Sequence, residues 1–204
     1  GTHRPLGPVT ARAQVFDVEM ELRFAQELKV EVAGDVAQRV FTVPELDGLS
    51  TTYFLDLALT DSAGVELSRN FYVLSTQADV LDWNASTYYH TPVKTHADLT
   101  GLSQLPPVEL EVAATHAVEG DEGVTRVRVE NPTGHLAYAV HLRLMRGENG
   151  EEVLPILWQD NYFPLLPGES REIEARYKVS DLAGASPVVE VGGWNVAGSG
   201  RHVP

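Results

Sequence analysis

Apolar and polar residues alternate in six separate runs: Val9-Ala11-Ala13-Val15, Leu28-Val30-Val32, Tyr53-Leu55-Leu57-Leu59, Val108-Leu110-Val112, Tyr138-Val140-Leu142-Leu144 and Ile173-Ala175-Tyr177-Val179. A period of two places each set on one face of an extended chain, which a helix cannot do, so these runs read as half-buried strands. Turn signals separate them at Ala33-Gly34-Asp35, Asp61-Ser62-Ala63-Gly64, Glu119-Gly120-Asp121, Asn131-Pro132-Thr133-Gly134, Glu148-Asn149-Gly150 and Pro167-Gly168-Glu169. Short strands at this spacing predict an all-β sandwich architecture. No amphipathic helical stripe competes with it beyond a turn near Ala97–Leu102.

The pattern lapses between Thr76 and Pro107. About five strands fit before it, over residues 8–18, 26–33, 36–43, 51–60 and 64–74; about six fit after it, over 108–116, 124–130, 136–146, 152–158, 170–179 and 187–194. The chain is therefore expected to hold two immunoglobulin-like β-sandwich domains in tandem, residues 1–78 and 108–204, joined by an aromatic-rich connector over 79–107. Flexible linkers are Gly- and Ser-rich, whereas this one carries Trp83, Tyr88 and Tyr89, residues expected to lock the connector between domains. The first domain falls short of the seven or so strands of such a sandwich, which suggests truncation upstream and a piece of a longer polypeptide.

Charge narrows the function. The formal net charge is −14, with 6 basic and 11 acidic residues in positions 1–78 and 9 and 18 in positions 79–204. Such a surface lacks the cationic footprint that phosphate backbones or anionic lipids require, so neither nucleic acid nor membrane is an expected partner. No apolar run reaches the roughly 20 residues of a membrane span, and no basic-then-apolar signal opens the chain. The absence of cysteine excludes disulfides, zinc thiolates and thiol nucleophiles but leaves the compartment open, with a secreted or periplasmic address preferred to the cytoplasm.

A catalytic constellation is missing from the sequence. There is no GxSxG elbow, P-loop, GxGxxG or HExxH, and the seven histidines (3, 90, 96, 116, 135, 141 and 202) show no ligand spacing. His135 and His141 share a face only if the alternation between them is unbroken. The pairs Glu109/Glu111, Glu151/Glu152 and Glu172/Glu174 fall on turns or outward strand positions, whereas a glycosidase pair must flank a concave site. No catalytic residue, metal site or cofactor is expected. Aromatic rings stack on pyranose faces, so Trp158, Asp160 and Tyr162, and Trp83 with Tyr88 and Tyr89 in the connector, are candidates for sugar contact, with packing in cores and interdomain seams as the preferred reading for each set.

Several segments together resemble a known family. They are Leu49-Ser50-Thr51-Thr52-Tyr53-Phe54-Leu55-Asp56-Leu57, Ser68-Arg69-Asn70-Phe71-Tyr72-Val73-Leu74-Ser75-Thr76, Asp79-Val80-Leu81-Asp82-Trp83 and Ser86-Thr87-Tyr88-Tyr89 in the first half. In the second half they are Pro155-Ile156-Leu157-Trp158, Asp160-Asn161-Tyr162-Phe163, Leu166-Pro167-Gly168-Glu169 and Gly193-Trp194-Asn195-Val196. This combination resembles the C-terminal region of glycoside hydrolase family 2, nearest to exo-β-D-glucosaminidases and their β-mannosidase-like relatives. The resemblance implies a non-catalytic pair of immunoglobulin-like domains supporting a (β/α)8 barrel. That barrel and further N-terminal domains of the same polypeptide would be the partners and would carry the catalytic carboxylates. Phe54, Phe71 and Tyr72 would stabilise the first sandwich. The chain by itself would be no enzyme and its parent a glycosidase acting on β-linked glucosamine or mannose, its acidity suited to a cationic glucosamine oligomer. The alternatives are an autonomous carbohydrate-binding module and a protein-interaction module.

Overall fold

The structure, a computed structural model, describes residues 5–197 and 200–202. Its backbone divides into two units between Gln104 and Leu105. The first contains four long strands, β1 (Leu6–Phe16), β2 (Leu22–Val32), β3 (Thr52–Thr60) and β4 (Glu66–Ser75), in an antiparallel sheet of order β2-β1-β3-β4. Beyond it, β5 (Val80–Leu81) and β6 (Val93–Thr95) pair as a short ribbon.

One device closes both hairpins of the long sheet. Asp17 Oδ1 accepts from the N–H groups of Glu19 and Glu21, and Asp61 Oδ1 from those of Ala63 and Val65. Three residues on, the chain turns left-handed, at Met20 (φ 68°) and Gly64 (φ 82°). An aspartate satisfying turn N–H groups ahead of a left-handed residue is a standard hairpin closure. It was legible at Asp61-Ser62-Ala63-Gly64 but hidden at Asp17, where methionine takes the position glycine would mark.

The strand expected over 36–43 does not form. Val40 and Phe41 are adjacent, and a strand would send them to opposite faces; instead both line one groove with Ala11, Leu57 and Leu59. The long sheet buries residues on both faces: Val9, Ala13 and Val15 on one, Phe54, Asp56 and Ala58 on the other. Phe54 stacks on Phe71 at 5.5 Å. Asp56, fully buried, receives Arg69 Nε at 2.6 Å on Oδ1, and Arg12 approaches Oδ2 at 3.5 Å from the other neighbouring strand, within ion-pair range but without a hydrogen bond.

The second unit is a two-sheet sandwich. Its strands are β7 (Glu111–Glu119), β8 (Glu122–Glu130), β9 (Ala137–Arg146), β10 (Leu157–Trp158), β11 (Phe163–Leu165), β12 (Ser170–Lys178), β13 (Pro187–Gly192) and β14 (Gly200–His202). The sheets run β10-β12-β8-β7 and β11-β9-β13-β14. Val127, Val129 and Ile173 from the first meet Val140, Leu142, Leu144, Val189 and Val191 from the second in one core. Each such side chain contributes about 2 kcal/mol by leaving water. The strand expected over 152–158 survives only as β10 and an isolated bridge from Glu152 to Met145, because Pro155 between them has no N–H to give a ladder. The turn at Leu166-Pro167-Gly168-Glu169 forms as its residues dictate, with Gly168 at φ 73° and Glu169 N–H donating to Leu166 C=O at 3.0 Å.

Asn131 anchors the corner after β8. Its side chain is fully buried; Nδ2 donates to the carbonyls of His135 (2.7 Å), Leu165 (3.0 Å) and Leu166 (3.3 Å), while Oδ1 accepts from the N–H and hydroxyl of Thr133.

Candidate functional site

The segment from Trp158 to Phe163 leaves one sheet of the second unit and enters the other. Trp158 pairs with the inward-facing Ala175, and its half-buried ring packs on the core. It also lines a shallow groove of about 350 Å³ with Leu157, Gln159, Glu174 and Arg176. Tyr162 lies just before β11 on the other sheet, 70% exposed, and stacks on His141 at 5.4 Å. The two rings offered for sugar contact therefore lie on either side of the crossing between the sheets. Asp160 is engaged with Arg171 at 2.9 Å, and that guanidinium lies 4.7 Å over the Phe163 ring. Of the three residues, only Tyr162 presents an open ring.

Asn161, between them, was not singled out for a role. Its Oδ1 accepts from Leu142 N–H at 2.9 Å and from Tyr162 N–H at 3.0 Å, and its Nδ2 donates to Leu142 C=O at 3.0 Å, so one amide ties the crossing segment to β9. It holds Tyr162 at φ 61°, a backbone state costly for a tyrosine. Asn161→Ala is expected to cost about 2 kcal/mol, with a lower urea midpoint for the second unit followed by Trp158 fluorescence. Asn195 acts similarly: Nδ2 donates to Pro106 and Leu136 carbonyls and Oδ1 accepts from Tyr138 N–H.

Of the suggestive carboxylates, Glu174 on a sheet face and Glu151 at a turn are paired with arginines, as is Glu130 at the end of β8. Glu174 meets Arg126 and Arg176 at 2.9 Å each, Glu130 meets Arg128 at 2.8 Å, and Glu151 meets Arg146 at 3.3 Å. Hydrogen bonds from Arg176 to Glu122 and Glu174, and from Arg128 to Glu130, raise both guanidinium pKa values above the ordinary range. Asp98 is shifted down because Thr100 donates its hydroxyl and N–H to the carboxylate. The alternation between His135 and His141 is broken by Ala139 at φ 51°. His3 lies outside the described residues. No group of three or more His, Asp or Glu with metal-binding geometry occurs among the described residues.

In the first unit, the residues between β5 and β6 form an arm. Trp83, Tyr88 and Tyr89 stand on it 71%, 93% and 92% exposed, with the tyrosines edge to face at 4.9 Å.

A family model for the exo-β-D-glucosaminidase Ig-fold domain matches residues 88–196. The chain belongs to that family. An exo-β-D-glucosaminidase of Streptomyces avermitilis is 40% identical over 198 residues, which are 93% of this chain and 22% of the relative; one of Amycolatopsis orientalis is 37% identical, over 95% and 19%. This chain thus spans about a fifth of the length of these curated relatives. Among solved structures, the A. orientalis exo-chitosanase CsxA is similar with a TM-score of 0.93 and 33% identity, over all of this chain and 24% of that one. A β-D-mannosidase of Dictyoglomus thermophilum, at 14% identity and a TM-score of 0.54, shares the fold alone. Two motifs that carry the resemblance to the exo-glucosaminidase family, Asp160-Asn161-Tyr162-Phe163 and Gly193-Trp194-Asn195-Val196, each hold one of the asparagine ties described above.

Proposed function

We propose that this chain is the non-catalytic C-terminal β-sandwich region of a glycoside hydrolase family 2 exo-β-D-glucosaminidase, and that it supports a (β/α)8 catalytic barrel within one polypeptide. The observation that carries the reading is proportion: exo-β-D-glucosaminidases at 40% and 37% identity match this chain almost throughout, yet it accounts for only 22% and 19% of their length. Hydrolysis through a pair of carboxylates then belongs to the remainder. Glu174 and Glu151 are engaged with arginines, which supports a framework role. Specificity for β-linked glucosamine is preferred to mannose because the relatives at 40% and 37% identity are exo-β-D-glucosaminidases, whereas the D. thermophilum β-D-mannosidase is similar at 14%. The net charge of −14 also suits a cationic sugar chain.

The test compares the 204-residue chain with its full-length polypeptide on aryl β-D-glucosaminide and aryl β-D-mannoside. The full-length protein is expected to release aglycone from the glucosaminide, and the chain alone from neither. Turnover by the purified chain, or a full-length protein active only on the mannoside, would overturn the assignment.

A further inference from the structure

We propose that the arm between β5 and β6 is a docking element, and that its aromatic tip is buried against the part of the same polypeptide outside these 204 residues. The proposal rests on the functional reading above, which makes that part the catalytic portion.

The arm is rigidly built. Beyond the β5–β6 pairs, Asp82 N–H donates to Pro92 C=O and Thr87 N–H to His90 C=O, each at 2.8 Å. The Ser86 and Thr91 hydroxyls bond across it at 2.8 Å. Asp82 Oδ1 accepts from Asn84 and Ala85 N–H, capping the 3₁₀ turn that presents Trp83, and Asp79 Oδ1 accepts from Ala97 N–H at the base. An element ordered in advance loses little entropy when it makes a contact.

What the arm displays is apolar and nearly uncharged. Val80 and Leu81, in β5 at the base of the arm, are 50% and 38% exposed. From Val80 to Val93 the only Asp, Glu, Lys or Arg is Asp82, in a chain 22% charged. Exposed aromatic residues with local depletion of charge mark the centre of a protein interface. Tyr88 and Tyr89, at an interplanar angle of 89°, give no shared plane on which a pyranose could lie. Their edges, faces and hydroxyls suit a protein surface that accepts hydrogen bonds. The occupant is taken from the same chain because about four-fifths of the matched relatives' length lies outside this region.

The test uses the full-length polypeptide. Hydroxyl-radical footprinting should show Tyr88 and Tyr89 oxidised at least ten-fold more slowly in the native protein than in urea, unchanged by ten-fold dilution or by added glucosamine oligomer. With Tyr89→benzoylphenylalanine, photo-adducts should fall on peptides outside the 204 residues. Unprotected tyrosines, protection lost on dilution or dependent on the oligomer, or adducts confined to this region would each overturn docking. An active glucosaminidase with unprotected tyrosines refutes the arm and spares the functional reading. Protected tyrosines and outside adducts in a protein without glucosaminidase activity do the reverse.

Discussion

Asn131→Ala is expected to destabilise the second unit by about 3 kcal/mol, read as a lower urea midpoint in Trp158 fluorescence with an unchanged slope. The amide is fully buried and supplies donors to three carbonyls from two stretches of chain, His135 on one side and Leu165 and Leu166 on the other. Removing it takes that donor from the buried Leu165 contact and from the part-buried ones at His135 and Leu166, and it also releases Thr133 from Oδ1. Asn131→Asp keeps the shape and the acceptor but turns the donor edge into a carboxylate facing carbonyl oxygens, so it should be at least as damaging at neutral pH. If the aspartate variant unfolds at the wild-type midpoint, the tie is not what holds this corner.

Asp56→Leu is expected to destabilise the first unit by about 3 kcal/mol, because it removes a fully buried carboxylate that two arginines from neighbouring strands approach. Arg69 is the more exposed to this loss: its side chain is only 12% accessible, against 43% for Arg12, which can turn to water. The double variant Asp56→Leu/Arg69→Met should recover most of the stability, since replacing a buried pair by apolar groups of similar volume is often neutral. Chemical denaturation followed by far-ultraviolet circular dichroism measures both. A double variant as unstable as the single one would show that the cost lies in packing rather than in the lost ion pair.

The regular strands were legible where apolar residues recur at every second position. The runs at Val9–Val15, Tyr53–Leu59, Tyr138–Leu144 and Ile173–Tyr177 all became strands, and the Pro167-Gly168 turn formed in its dictated geometry. Reading failed where tertiary contact replaced periodicity. The segment 36–43 is apolar enough to resemble a strand, but it lays Val40 and Phe41 along one groove. β11 is too short to show a period, and it pairs with β9 after a crossing tied by Asn161. The candidate sugar site illustrates the same limit. Trp158 and Tyr162 are four positions apart, but the chain changes sheet between them, which no local pattern shows.

The alternation determined by itself that the chain is all-β, because a period of two can bury one face only in an extended backbone. The motifs of the two halves indicated the family. The roles within those motifs were decided by tertiary structure alone. Asn131, Asn161 and Asn195 look like ordinary loop residues until the carbonyls they satisfy are brought to them from as far as Leu165, Leu142 and Pro106. A side-chain amide has donors and an acceptor to offer in any conformation; which backbone groups it meets, and whether water is excluded from them, depends on how distant strands pack. The same holds for Tyr88 and Tyr89, whose aromatic character is written in the sequence and whose exposure at the tip of a braced arm is not.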